Sequence, residues 1–311
     1  MKNFLNWILS VFGYGAYTLV ILVVLLWVLF PTENFRMWLE AKLDEQGSSV
    51  AWEIGDIRIG WPLSVVGMDI KAIERDGEAP LMIVDELKIR PDVLGIRGLD
   101  SDWPLSYRAK VFGGIVKGDI SLHKELGSIK CSGTISNAQV SGLDGIWQLL
   151  DRKVIGDLSG SFNYDGKWQG LLSGDLQMDL VMADGSVELL QPVFGLESFE
   201  FNRLSTTLLL KDRVATFEKG KVDSNLFAAE FSGTVTLADE LLGSGLDVTG
   251  AFEPRPELLG SLKDAMVVQV IKGQLRENKL MFTLSDTLQL PGITFQGVSG
   301  VIDGVIQGSN R

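Results

Sequence analysis

Reactive and metal-binding side chains are scarce in this sequence. Its 311 residues include one Cys and one His, which excludes an internal disulfide framework and Cys-rich or His-rich metal sites. The 28 Lys and Arg residues are outnumbered by 40 Asp and Glu residues, so the formal net charge is −12. Because nucleic-acid binding needs clustered positive charge, this balance argues against nucleic acid as a partner.

Catalytic motifs are lacking as well. The sequence contains no GxSxG elbow, no Walker A loop, no HExxH pair and no dinucleotide fingerprint. Cys131 alternates in phase with Ile129 and Ile135, a pattern typical of a buried and unreactive thiol. We therefore expect no catalytic residues, no cofactor and no metal ion, and we predict that the protein is not an enzyme.

Residues 1–31 predict a short cytoplasmic stub followed by a transmembrane anchor. No charged residue occurs from Phe4 to Phe30, and about 20 helical residues span the hydrocarbon layer of a bilayer. A cleaved signal peptide is the alternative, but the apolar stretch is longer than usual and its end carries no small-x-small cleavage site. Lys2 gives a preference for a cytoplasmic N-terminus. In a Gram-negative cell this arrangement predicts a single-pass inner-membrane protein with most of the chain in the periplasm.

Residues 32–48 predict a juxtamembrane amphipathic helix. Phe35, Trp38, Leu39 and Leu43 recur at steps of three and four residues, the spacing of one helix face. Two interpretations stay open at this point. The helix either lies on a membrane surface or over a groove, or it packs as an ordinary first helix of the following domain.

Residues 49–311 predict a β-rich domain, since apolar and polar residues alternate repeatedly from Val50 onward. Turn-like sequences at Asp165-Gly166, Asp184-Gly185, 211–213 and Glu277-Asn278 separate these segments, which predicts an antiparallel meander. In WEIGDIRIGW the apolar phase changes between Ile54 and Ile57, which predicts a bulge or a tight turn at Gly55-Asp56.

Few helices are predicted to cover the apolar side of these strands. Beyond the juxtamembrane helix, only 143–152 and 257–265 read as helical. The sheet must then fold on itself, close into a barrel, or curl into a trough around something apolar. In a trough, the predicted groove-lining side chains are Leu176, Met178, Leu180, Phe227, Phe231 and Val235. In a closed sheet the same side chains would be ordinary core.

Two regions resemble known envelope proteins. The segment SSVAWEIGDIRIGWPLSVVGMDIKAIERDGEAPLMIVDELKIRPDVLG, with the apolar span before it, resembles the N-terminal region of AsmA-like proteins. The succession GSFNYDGKWQGLLSGDLQMDL, VELLQPVFGLESFEFNRLSTTLLLKDRVATFEKGKV, FSGTVTL, LDVTGAFEPRPELLG and FTLSDTLQLPGITFQG resembles the type II secretion system protein N family (GspN).

These resemblances imply a mainly β fold of the AsmA type. It would be a single transmembrane helix followed by a large antiparallel meander, curled into a trough, with two or three short helices. The resemblance to GspN implies a non-enzymatic periplasmic component of the type II secretion system, with other subunits of that machinery as partners. The resemblance to AsmA-like proteins implies the alternative, binding or transfer of lipid acyl chains in an apolar β-groove. A general envelope scaffold with neither role stays open.

Overall fold

The computed structural model describes most of the chain after residue 28. The described ranges are 29–44, 50–60, 64–74, 80–92, 102–123, 127–143, 152–167, 174–193, 196–238, 241–262 and 265–296, with single positions at 14, 17, 18, 21, 24, 25, 145 and 147. Most of the predicted anchor therefore lies outside the described residues. Across the part of the chain that is described, no helix combines the length and the apolar character needed to cross a bilayer.

Three helices are described in full. Helix α1 (Thr32–Asp44) precedes the sheet, and α2 (Pro256–Ser261) and α3 (Ala265–Gln274) follow each other near its C-terminal end. The helix predicted over 32–48 is thus confirmed for 32–44, whereas residues 45–48 fall outside the described ranges. The single helix predicted over 257–265 is wrong in extent, because the chain forms two separate helices there.

Fourteen strands form one antiparallel sheet. The first seven are β1 (Val50–Gly60), β2 (Ser64–Glu74), β3 (Pro80–Pro91), β4 (Asp102–Val111), β5 (Gly114–His123), β6 (Ser128–Gln139) and β7 (Val154–Lys167). The last seven are β8 (Asp175–Val193), β9 (Leu196–Lys211), β10 (Val214–Asp223), β11 (Phe227–Thr236), β12 (Gly245–Pro254), β13 (Leu280–Thr287) and β14 (Pro291–Phe295).

The order of the strands in the sheet is their order in the chain, from β1 to β14. Every described pairing joins consecutive strands in antiparallel register, and β1 and β14 are not paired with each other. The predicted antiparallel meander is confirmed, and the sheet is open rather than closed into a barrel. Few helices accompany it, which also agrees with the prediction.

The first strand is irregular where the sequence predicts a change of phase, but it contains neither an extra residue nor a tight turn. Ile54 pairs with Ile70 and Ile57 pairs with Gly67 in unchanged register, yet both isoleucines belong to one buried cluster although they are three residues apart. The change of phase occurs at Gly55, where a Cβ atom would lie 2.9 Å from the Cβ of Asp69. Asp69 itself has a positive φ of 52°, so both strands depart from regular geometry at this point.

The predicted turns fare unevenly. The turn at 211–213 is confirmed as the β9–β10 hairpin, with positive φ at Asp212 and Arg213. Asp184-Gly185 is no hairpin, because β8 continues through it and pairs with β9 on both sides. The positive φ of Asp184 makes it a bulge instead. Glu277-Asn278 is confirmed as a tight turn, with positive φ at both residues and a bridge between Arg276 and Lys279, but it follows α3 and does not join two named strands.

The remaining predicted turn and helix are described only in part. Asp165 and Gly166 lie at the end of β7 and not in a turn, and residues 168–173 beyond them are outside the described ranges. In the predicted helix 143–152, Gly145 and Trp147 are helical. The amide of Trp147 donates to the carbonyl of Leu143 at 3.1 Å, as expected of a helical turn.

Candidate functional site

One face of the sheet carries a row of mainly apolar residues from β6 to β12. The register places Cys131 opposite Tyr164, Tyr164 opposite Leu176, and Leu176 opposite Leu210. Because directly paired residues share a face, this row continues without interruption from strand to strand. It then passes through Ala215, Val235 and Leu246. We call this side of the sheet the apolar face.

The opposite side of the sheet is polar. The residues next to the row just described are Lys130, Asp165, Asp175 and Lys211. Lys130 pairs with Asp165 at 3.1 Å and Lys211 with Asp175 at 3.5 Å. Since these side chains are mostly exposed, the ion pairs add little stability. These charged side chains keep the polar side in contact with water. The other side of the meander is therefore the one that can be buried or can bind a partner.

Helices cover the apolar face at both ends of the sheet. At the first strands, Phe35, Leu39 and Leu43 of α1 pack against a buried cluster of Ile54, Ile57, Ile70, Val84 and Ala109. At the last strands, Leu258 of α2 and Ile271 of α3 pack with Val193, Phe227, Phe252, Leu280 and Phe295. Leu258, Ile271 and Leu280 are each 1 % exposed. These two ends form conventional cores.

The six predicted groove residues all lie on the apolar face, but they fall into two groups. Phe227 (4 % exposed) and Val235 (7 %) are buried, and Phe227 belongs to the core under α2 and α3. Leu176, Met178, Leu180 and Phe231 are only half-buried. Their neighbours across β6, β7 and β9 are half-buried too, namely Cys131, Ile135, Phe162, Tyr164, Leu204 and Leu208. The middle of the apolar face is therefore less covered than its ends.

Glycines let aromatic rings lie close to the backbone on this face. Gly220 pairs with Phe231, and a Cβ on Gly220 would lie 2.5 Å from that ring. Gly250 pairs with Phe282 in the same way, with a Cβ 2.6 Å from the ring. Since real Cβ atoms do not approach so closely, both positions require glycine. The two rings occupy the space that a side chain at position 220 or 250 would fill, which explains why glycine occurs at both positions.

Cys131 and Tyr107 share the apolar face in the middle of the sheet. The thiol Sγ lies 3.7 Å from the tyrosine Oη. Burial raises the pKa of the Cys131 thiol and also raises the pKa of the Tyr107 hydroxyl. A thiol whose pKa is raised is mostly protonated at neutral pH and a poor nucleophile. In the part of the chain that the structure describes, no group of three His, Cys, Asp or Glu side chains could hold a metal ion.

A cavity of about 560 Å³ lies beside the ends of β5 to β9. Nine of its fourteen lining residues are polar or charged, with Asp119, Lys130, Asp165, Asp175 and Lys211 among them. Two ion pairs already join four of these side chains. The cavity therefore gives no reason to assign a ligand to it.

Arg152, just before β7, reaches the turn that follows β13. Its Nη2 donates to the carbonyl oxygens of Leu288 at 2.8 Å and Gln289 at 3.2 Å. Strands β7 and β13 are six positions apart, which would separate them by about 28 Å in a flat sheet. The contact requires the sheet to bend between them. Burial lowers the pKa of Arg152, and sequence analysis gave no signal for this contact.

Side chains of α1 occupy the free edge of the first strand. The amide of Ile54 donates to Glu40 Oε1 and the amide of Trp52 donates to Asp44 Oδ1, each at 2.9 Å. Arg36 Nη1 in turn donates to the carbonyl of Ile54 at 3.1 Å. An unpaired edge is a template for unwanted strand addition. Helix α1 therefore both covers apolar side chains of β1 and satisfies its outward backbone groups.

No family model, no curated protein and no solved structure matches this chain. The function must therefore be inferred from the residues themselves and from the geometry of the apolar face.

Proposed function

We propose that this protein is a non-enzymatic component of the type II protein secretion system, anchored in the inner membrane and facing the periplasm. Support comes from the stretches that resemble GspN, which correspond to β7–β14 and the helices between them. A protein of that kind is expected to have a β-rich region after its anchor, and the fourteen-stranded meander agrees with this expectation. The uncharged segment from Phe4 to Phe30 supports the anchor.

Deletion of the gene in its native host tests this role. We expect folded exoproteins to accumulate in the periplasm, and the full chain supplied from a plasmid should restore their release. The matched control is a chain in which a cleavable signal peptide replaces residues 1–30. If the anchor is needed, this control should not restore release. Unchanged release of exoproteins in the deletion strain would contradict the proposal.

One observation favours a second candidate, binding of lipid acyl chains along the apolar face. The half-buried side chains in its middle form a continuous apolar surface over several strands. Apolar patches larger than a few hundred Å² are rare on soluble proteins unless they bind something. Acyl chains would remove this surface from water at about 25 cal/mol per Å². This role is compatible with the first, because one fold can serve both.

The two faces of β8 provide a matched test of acyl-chain binding. Met178 lies on the apolar face and its neighbour Gln177 on the polar face. Full-length protein is purified in a gentle detergent, and bound phospholipid is counted by native mass spectrometry. We expect the Met178→Asp variant to lose most of the lipid and the Gln177→Asp variant to retain it. Only the first substitution places a charged side chain against the acyl chain. Absence of lipid from the unmodified protein would rule out this candidate.

A further inference from the structure

Helix α1 has a second, partly apolar stripe whose residues belong to none of the buried clusters of the described chain. Asn34, Met37, Trp38 and Ala41 are all exposed and are spaced by three, one and three residues, so they share one side of the helix. Met37 is 54 % exposed and Trp38 is 55 % exposed. The side chains that pack on the sheet, Phe35, Leu39 and Leu43, lie on the other side. We call the first stripe the outer face of α1.

The outer face is continuous with the apolar segment that precedes the helix. The ring of Phe30 lies 5.4 Å from that of Phe35, and Phe35 stacks on Trp38 at 5.7 Å. Leu29, one residue before the end of the uncharged segment, is 69 % exposed. If that segment spans a bilayer, α1 begins two residues beyond its end and must lie within a few ångströms of the headgroups. An exposed Trp beside such a segment is typical of the membrane interface.

The contacts between α1 and β1 hold the helix and the first strand in one relative orientation. Arg36 donates a hydrogen bond to the backbone carbonyl of Ile54. The backbone amides of Ile54 and Trp52 donate to the carboxylates of Glu40 and Asp44. Three apolar side chains of the helix are also packed against the first strands. A helix that lies on the bilayer surface would therefore fix the edge of the sheet beside it.

We infer that the outer face of α1 lies on the surface of the bilayer that holds the anchor, which makes β1 the membrane-proximal edge of the sheet. The inference rests on the proposed anchor. Because spatial order equals chain order, the apolar face then begins at the membrane-proximal edge and continues strand by strand along the curved sheet to β14. At about 4.8 Å per strand this path is roughly 60 Å long, measured along the sheet.

Site-specific labelling of the full chain tests this placement. In a Cys131→Ser background, single cysteines replace Met37, Trp38 or, as the distal control, the exposed Thr294 of β14. Each carries an environment-sensitive fluorophore, and the protein is reconstituted into vesicles of phosphatidylethanolamine and phosphatidylglycerol. Nitroxides attached near the lipid headgroups serve as quenchers. We expect several-fold stronger quenching at positions 37 and 38 than at position 294.

Flotation of the vesicles tests the membrane anchor separately from the placement of the outer face of α1. If the protein does not float with the vesicles, the anchor is wrong and the inference fails with it. If it floats but labels at 37 and 38 are quenched no more than the label at 294, the anchor stands and the inference is overturned. Labels at 37 and 38 shielded from both lipid nitroxides and a water-soluble quencher would show that a protein covers the outer face, which also overturns it.

Discussion

Replacing one leucine at the covered end of the apolar face and one in its middle should have unequal effects on stability. Leu280 is 1 % exposed within the core formed by α2 and α3. Truncation to Ala there removes buried carbons and leaves a cavity, so Leu280→Ala should cost about 3–4 kcal/mol. Leu180 is half-buried, and the space left by Leu180→Ala stays in contact with solvent or a bound chain. We expect a cost of about 1 kcal/mol, since roughly half of the transfer free energy is lost and no closed cavity forms.

Denaturant unfolding of the full chain in a single detergent measures this difference. The midpoint is compared at constant slope, so that it reports the free energy of unfolding. Met281→Ala is the control, because Met281 neighbours Leu280 in β13 but faces the polar side and is 43 % exposed. It should change the midpoint little. Equal losses for Leu180→Ala and Leu280→Ala would show that the middle of the face is packed as tightly as its ends, and the groove would have to be abandoned.

Four further tests address other parts of the structure. Gly220→Ala should lower the free energy of unfolding by about 1–3 kcal/mol because its Cβ would meet the ring of Phe231. Gly260→Ala should raise it by up to about 1 kcal/mol, since no atom lies within 4 Å of the added Cβ. Thermal unfolding shows whether the two effects have opposite signs. Arg152→Gln should loosen the turn after β13 by about 1.5–3 kcal/mol, because the hydrogen bonds it loses are charge-assisted; unchanged hydrogen exchange at 288–290 would contradict this. Cys131 should react with iodoacetamide more slowly than a free thiol at pH 8, since burial raises its pKa and less thiolate is present; a rate equal to that of free cysteine would argue against the burial. Glu40→Ala should speed hydrogen exchange of the Ile54 amide while leaving the amide of Val248 in β12 unchanged, and equal protection in both proteins would show that α1 does not guard the edge.

The strands were predictable because each carries its own signal. Alternation in β8 and β11 assigned the apolar side of Met178 and Phe231 without knowledge of their neighbours. The change of phase between Ile54 and Ile57 located the irregular pairing of Gly55 and Asp69 for the same reason. Such local patterns determine which side of a strand is apolar, and short connections determine that consecutive strands pair.

Features that depend on distant residues were not predictable in this way. Asp184-Gly185 reads as a hairpin turn, yet β9 is long enough to pair with both halves of β8, so the chain bulges and continues. The β-branched residues of 265–274 do not favour a helix, but packing of Ile271 on the core stabilises one. The contact of Arg152 with Leu288 joins residues 136 positions apart, and no local pattern encodes it. How deeply Phe227 is buried also depends on α2 and α3, and not on β11.

The agreement between chain order and sheet order bears on how the protein acquires its structure. Each described strand pairs only with the ones before and after it in the chain. The sheet can therefore assemble one hairpin at a time from β1 as the polypeptide emerges, with no wait for distant segments. Removal of an internal hairpin should shorten the assembly and leave the pairing on either side intact, as in proteins built from stacked repeats. Evolution could lengthen or shorten such a molecule by whole hairpins without redesigning its two ends.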